Sequence, residues 1–220
     1  DAARIAYAAV APDTTLVLAT DSSAALATQI EQGAPADVFL SADATSPRHL
    51  ADAGLVDGEP VTFARNQLTI IVPADDPAAI ASWADLARPG VLVVAAGDDV
   101  PITRYATELV DALGRTPGAA PGFAAGYAAN IVSREDNVKA VVVKIELGEG
   151  DAAIVYLTDA AASDRVAMVE IPAASNVTAI YDGVVLTASR YRAEARAFLE
   201  WLTGPGGQGI LGDLGFLPPS

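Results

Sequence analysis

The order of elements along the chain predicts an α/β fold divided into two lobes. Short apolar segments rich in β-forming residues alternate with helical segments, and several of the predicted strands are followed by a polar turn and the start of a helix. One excursion out of the first lobe and one return would join the lobes through two crossing segments. We place lobe one at residues 1–65 and 178–220 and lobe two at residues 66–177, with a ligand cleft between them.

Composition narrows the classes of function that the chain can have. Hydrophobic residues make up 52% of its 220 residues, which excludes a disordered protein. No cysteine and a single histidine, His49, leave few groups for nucleophilic or acid–base catalysis. The net charge of -15 argues against nucleic acid as a partner. It does not exclude a small anion, because distant surface charge is screened over about 10 Å at ordinary salt.

The first strand–turn–helix–strand pattern predicts a place for an anion. Thr14–Ala19 is apolar and rich in β-formers, Ser22 and Ser23 are N-cap residues before a run of helix formers, and Val38–Leu40 is a short buried strand. This spacing predicts a right-handed parallel crossover whose polar turn lies at the carboxyl ends of the strands. Hydroxyl and N–H groups at a helix N-terminus form a cup of donors, which suits an anion.

The second half of the chain repeats this arrangement. Val91–Ala95 is a predicted strand before a helix at Ile102–Leu113, and a further helix follows Asn137. Ala152–Tyr156 is another buried strand. We interpret Gly118–Gly126 as a Pro/Gly-rich loop.

Three charged or titratable residues are interpreted as surface groups rather than ligands. Asp98 and Asp99 precede a helix, where carboxylates favour the positive end of the helix dipole while pointing to solvent. His49 lies inside a helix that Pro47 opens, and a surface position is the simpler interpretation. Asn176-Val177-Thr178 fits a glycosylation sequon, but this motif is too short to predict a modification.

The stretch from Ser22 to Asp43 resembles the signature of the molybdate-binding proteins of ABC transporters. The matching residues are Ser22-Ser23, Leu26-Ala27, Gln29-Ile30, Gly33-Ala34-Pro35-Ala36-Asp37 and Ser41-Ala42-Asp43. The resemblance implies the two-lobed type II periplasmic-binding-protein fold, with a doubly wound mixed sheet in each lobe. It also implies a monomeric periplasmic or extracellular receptor, with a lipid anchor as one option. Such a receptor captures molybdate or tungstate for an ABC permease.

The same resemblance implies which residues contact the oxyanion. It places Ser23 at the anion with Ser22 as its neighbour, and it assigns backbone N–H donors to Ile102 and Val138 and a hydroxyl to Tyr156. It implies no catalytic residue, no cofactor and no metal ligands from side chains beyond the bound oxyanion itself.

Two departures from the family pattern lead to further expectations. Ile102 replaces a small residue and Thr103 replaces glycine, which could narrow the pocket. The family also has a strand and a serine-bearing turn before the first helix. We therefore expect about ten or more residues before Asp1 in the natural protein, since a gap beside two buried strands would leave backbone groups unpaired.

Other functions remain open from the residues alone. A site of donors only has no acceptor for a proton, so it prefers a fully deprotonated dianion over hydrogen phosphate, but sulfate meets the same criterion. An enzyme with Ser22 or Ser23 as nucleophile is a second class, although no Gly-x-Ser-x-Gly motif or nearby base supports it. A ligand-sensing effector domain is a third class, and it would need an attached helix-turn-helix.

Overall fold

The chain divides into two compact units in the computed structural model, which describes residues 2–76 and 78–220. Unit 1 extends to Asn66 and includes Ala179–Ser220, and unit 2 is Gln67–Thr178. Helices and a mixed set of parallel and antiparallel strands make up the chain, so the predicted α/β fold class is confirmed. Within the described ranges, no helix combines the length and the apolar character that a membrane span requires.

Among the described residues, unit 1 contains five helices and one strand of its own and shares two strands with unit 2. Its elements are α1 (Ala2–Val10), α2 (Ser23–Glu31), β1 (Val38–Ser41), α3 (Thr45–Asp52), the first half of β2 (Val61–Pro73), most of β7 (Thr178–Val185), α8 (Arg192–Thr203) and α9 (Pro205–Asp213). The strand order is β1-β7-β2, and β1 is antiparallel to β7.

Two apolar clusters hold unit 1 together. In the larger cluster the ring of Tyr7 on α1 lies 5.1 Å from the ring of Phe198 and 5.1 Å from that of Trp201, both on α8. The smaller cluster packs Phe39 of β1 against Leu50 of α3, which fixes the end of β1 beside α2 and α3.

The predicted strand at Thr14–Ala19 is wrong. These residues have no assigned secondary structure and take part in no strand pairing. Leu16 packs against the larger cluster, but Val17 is 92% exposed and Leu18 is 52% exposed. β-propensity describes how well a side chain fits a paired, half-buried surface, and no such surface meets this segment. The predicted parallel crossover to β1 is therefore also absent, and the described pairing of β1 is antiparallel.

Unit 2 is built on a mixed sheet with helices packed against it. After β2 its elements are a short 3₁₀ helix (Trp83–Ala87), β3 (Val93–Ala96), α4 (Pro101–Gly114), α5 (Phe123–Ala129), β4 (Ile131–Glu135), α6 (Val138–Glu146), β5 (Ala152–Tyr156), α7 (Leu157–Ala161) and β6 (Val166–Val169). The strand order is β2-β5-β3-β4, with β6 paired to β2. β2 runs antiparallel to β5 and β6, whereas β3 is parallel to both β4 and β5.

The predicted loop at Gly118–Gly126 is wrong in its second half, where α5 begins at Phe123. Gly122 supplies the left-handed conformation before the helix, with a φ of 75°. Gly126 lies inside this helix. The position favours glycine because a Cβ there would stand 3.0 Å from the side chain and the carbonyl of Ala87. Glycine at this position permits close packing and does not mark a loop.

Candidate functional site

Three predicted site residues of unit 2 follow neighbouring parallel strands. β3 lies between β5 and β4, and all three strands run in the same direction. Their carboxyl ends therefore meet at one edge of the sheet, which is where open α/β sheets bind ligands. Ile102 follows β3, Val138 follows β4 and Tyr156 ends β5. The topology thus brings Ile102, Val138 and Tyr156 to the same edge.

The N-terminus of α4 presents backbone N–H groups without a side-chain cap. Val100 is the N-cap and Pro101 occupies the first helical position, so the N–H of Ile102 is the first that the helix offers. The hydroxyl of Thr103 donates to the carbonyl of Gly97 at 2.7 Å, which ties the preceding loop to the helix. The side chain of Ile102 is only 2% exposed and lines a cavity inside unit 2.

The N-terminus of α6 is capped by a side chain. The Asn137 side chain accepts a hydrogen bond from the N–H of Ala140 at 2.9 Å, which satisfies one of the four N–H groups that a helix start leaves without intrahelical partners. Val138 occupies the first helical position, so its N–H belongs to this same group. The cap fixes the direction of these donors.

Tyr156 is held between β5 and the first turn of α7. It is 3% exposed, and its ring lies 6.5 Å from the ring of Tyr105, edge to face. Tyr105 is on α4, three residues after Ile102, so the contact couples the end of β5 to the start of α4. Further along α7, burial raises the pKa of Asp159 from 3.8 to about 6.

In unit 1 the two serines at the start of α2 have different partners. The Ser22 hydroxyl caps the helix by accepting from the N–H of Ala25 at 3.3 Å. The Ser23 hydroxyl accepts from the N–H of Ala42 at 2.9 Å, and Ser23 is 7% exposed. A hydroxyl that accepts from a fixed N–H keeps its own hydrogen as a donor. Both serines are therefore arranged to donate.

Ser41 and Asp43 support this arrangement, and neither was predicted as a functional residue. The Ser41 hydroxyl donates to the Asp43 carboxylate at 3.0 Å, and the same carboxylate accepts from the N–H of Ser46 at 2.8 Å. These bonds fix the chain after β1, including the N–H of Ala42 that orients Ser23. The motif Ser41-Ala42-Asp43 was the available signal, but sequence alone does not show which atoms it joins.

The candidate donors are uncharged, and one neighbouring carboxylate, that of Asp21, accepts from the N–H of Ser22 at 2.8 Å. Asp98 and Asp99 are exposed, as predicted, and Asp98 pairs with Arg134 at 3.0 Å. His49 is also at the surface, 68% exposed and 2.8 Å from Glu31. The described part of the chain has no group of three or more His, Cys, Asp or Glu side chains that could hold a metal ion.

The chain is similar in sequence to proteins that are named molybdate-binding proteins. The Mycobacterium tuberculosis protein named molybdate-binding protein ModA is 37% identical over 209 residues, which cover 94% of this chain and 76% of that protein. The Escherichia coli protein of the same name is 30% identical over 203 residues, covering 89% of this chain and 75% of that protein.

A solved structure and a family match extend this similarity to the fold. The periplasmic molybdate-binding protein of Azotobacter vinelandii has a TM-score of 0.80 at 24% identity, covering 99% of this chain and 93% of that one, and this likeness shows the fold. Residues 1–217 match the family described as bacterial extracellular solute-binding protein. The resemblance inferred from Ser22–Asp43 is confirmed. The chain belongs to the bacterial extracellular solute-binding proteins.

Proposed function

We propose that this protein binds a tetrahedral oxyanion, molybdate or tungstate, and that Ser22, Ser23, Ile102, Val138 and Tyr156 supply the donors. The observation that carries the proposal is the convergence of Ile102, Val138 and Tyr156 at the carboxyl edge of three parallel strands. Helix N-termini at such an edge present oriented N–H groups and the positive end of the helix dipole.

The hydrogen-bond directions in unit 1 support selection of a fully deprotonated anion. Ser22 and Ser23 both accept from backbone N–H groups, which leaves their hydroxyl hydrogens to donate. Hydrogen phosphate would bring an O–H of its own that needs an acceptor, and a buried O–H without one costs about 1–3 kcal/mol. Molybdate, tungstate and sulfate carry no such proton at neutral pH.

The relatives support the choice of ligand. Proteins that are 37% and 30% identical to this chain are named molybdate-binding proteins.

The burial of two proposed donors also supports the proposal. Ser23 is 7% exposed and Tyr156 is 3% exposed. A hydroxyl in a buried position keeps more of its hydrogen-bond strength than one in water.

The proposed role is capture outside the cytoplasm and delivery to an ABC permease. The family match supports a periplasmic or extracellular location, and the molybdate-binding relatives support a transporter as the partner. In this role the protein acts as a monomer, with a lipid anchor as one form of attachment. It binds and releases its ligand without chemical change.

A thermal-shift screen of oxyanions tests the proposal. Molybdate or tungstate should raise the melting temperature, and at 100-fold above the Kd the stabilisation should be about 2.7 kcal/mol. Phosphate should give no shift, and sulfate tests whether the size of the site excludes a smaller dianion. An equal response to phosphate and molybdate would contradict a donor-only site. A response to sulfate alone would make the protein a sulfate receptor.

A further inference from the structure

Unit 2 contains a cavity of about 210 Å³ that begins beside the first turn of α4, where the side chains of Ile102 and Thr103 line it, and extends between α4 and α5. Its walls come from α4, α5 and the strands β5, β3 and β4, and small or aliphatic side chains make up most of them. Among these are Ala106 and Val110 on α4 and Ala124 and Ala128 on α5. An apolar cavity of about 150 Å³ is enough to bind benzene, so this one has room for a slightly larger molecule.

Tyr127 gives the cavity an unusual polar group. It lines the cavity, it is 8% exposed, and its hydroxyl has no hydrogen-bond partner among the residues that the structure describes. No side-chain polar atom of those residues is both inaccessible and unpaired, so the Tyr127 oxygen keeps accessible surface. We infer that this surface faces the cavity.

The Tyr127 hydroxyl is a donor under ordinary conditions. Burial raises its pKa to about 12, while the charge of Arg134 acts in the opposite direction. The phenol therefore stays protonated at neutral pH. A phenol hydrogen that faces a largely apolar cavity and has no protein acceptor favours an acceptor oxygen inside that cavity.

The charges at the cavity oppose an ionic ligand. Arg134 pairs with Asp98 at 3.0 Å and donates to the carbonyl of Ala96 at 3.3 Å, so its charge is already engaged. Asp111 adds a further carboxylate to the lining, which disfavours an anion. A cation would lose its hydration against the alanine-rich walls.

We propose that this cavity is a second binding site, which takes a small neutral molecule with a hydrocarbon body and a carbonyl oxygen that accepts from Tyr127. The site lies entirely within unit 2 and does not depend on the proposed oxyanion function. No charged group of the ligand is required, which separates its chemistry from that of the oxyanion.

Nuclear magnetic resonance titration of the ¹⁵N-labelled full chain tests the proposal with matched probes. Acetophenone has a hydrocarbon body and a carbonyl, ethylbenzene lacks the carbonyl, and benzoate carries a negative charge. Acetophenone should cause saturable shifts in the amides of α4 and α5, and it should bind about three- to tenfold more tightly than ethylbenzene. Tyr127→Phe should abolish that preference and leave the affinity for ethylbenzene within about twofold.

A pair of variants on α5 shows whether binding occurs in the cavity. Ala124→Phe places a ring among the lining residues and should abolish the shifts, whereas Ala129→Phe changes an exposed residue outside the lining and should not. A melting curve first establishes that each variant folds. If Ala124→Phe does not fold, the effect of Tyr127→Phe on the preference for acetophenone over ethylbenzene is the deciding result. The proposal is overturned if acetophenone causes no saturable shift up to its solubility limit. It is also overturned if benzoate binds as tightly, or if Tyr127→Phe retains the carbonyl preference.

Discussion

Ser22 and Ser23 are adjacent, but their different partners predict different effects of mutation. Ser22→Ala removes a helix cap and should lower the free energy of unfolding by about 1 kcal/mol. Ser23→Ala removes a proposed bond to a charged ligand, worth roughly 1.5–3 kcal/mol, and should weaken molybdate binding by about 10- to 100-fold. Titration calorimetry and chemical denaturation of both variants measure the two effects. Unchanged affinity in Ser23→Ala would remove Ser23 from the site.

Asp159 predicts a pH dependence of stability with a definite sign. Its pKa in the folded protein, about 6, is above its ordinary value of 3.8, so folding favours the protonated carboxyl. The ionised carboxylate destabilises the fold, and stability from this group falls as the pH rises through the range between the two values. Asp159→Asn should therefore stabilise the protein, by roughly 2 kcal/mol more at about pH 7.5 than at about pH 4.5.

Urea denaturation of wild type and Asp159→Asn at the two pH values checks this prediction. Asp99→Asn provides a control, because Asp99 is an exposed carboxylate whose removal should shift stability little at either pH. An equal stability difference between Asp159→Asn and wild type at both pH values would show that burial does not perturb Asp159.

At the scale of elements, helix starts could be predicted from the sequence, whereas α5 and residues 14–19 could not. The starts of α2, α4 and α6 could be predicted, because caps, proline and apolar spacing are local signals. Gly126 was misleading because its reason is the close approach of Ala87, a contact remote in sequence. Thr14–Ala19 has the composition of a strand, but a strand also needs a partner, and composition does not show whether one is present.

The cap of α6 allows helix stability and ligand affinity to be separated. Asn137→Ala removes the bond to the Ala140 N–H and should lower the free energy of unfolding by about 1 kcal/mol. Asn137→Asp keeps a capping oxygen, so stability should be retained, but it adds a negative charge next to Val138. Molybdate should therefore bind more weakly to Asn137→Asp than to Asn137→Ala, as measured by calorimetry. The reverse order would mean that the start of α6 does not face the anion.

At the scale of the whole molecule, the places of the site residues in the fold could be predicted better than the contacts that hold their side chains in position. A strand–turn–helix pattern located Ile102 at a helix start, the family resemblance placed Val138 at another, and parallel strand order explains why their edge is shared. The bonds that orient the groups were not predictable in this way. The contact of Ser23 with Ala42 spans 19 residues, and that of Tyr105 with Tyr156 joins α4 to the end of β5. Such contacts depend on the packed fold and leave no local pattern.

The net charge of the molecule predicts how salt affects the capture of an anion. With a formal charge of -15, the protein repels a dianion at long range, while the proposed donors act only at contact distance. Raising the ionic strength from about 0.01 M to about 0.1 M shortens the screening length from about 30 Å to about 10 Å. The association rate of molybdate should therefore rise several-fold over this range, and the dissociation rate should stay within about twofold.

Stopped-flow fluorescence of wild type and two charge variants measures this effect. Asp99 follows β3 at the carboxyl edge of the unit 2 sheet, whereas Glu149 precedes β5 at the opposite edge, and both are exposed. Asp99→Asn should raise the low-salt association rate more than Glu149→Gln, because repulsion falls with distance from the bound anion. The two variants should converge at high salt, where both charges are screened. An association rate that falls with salt would show instead that a local positive field attracts the anion and outweighs the charge of the whole molecule.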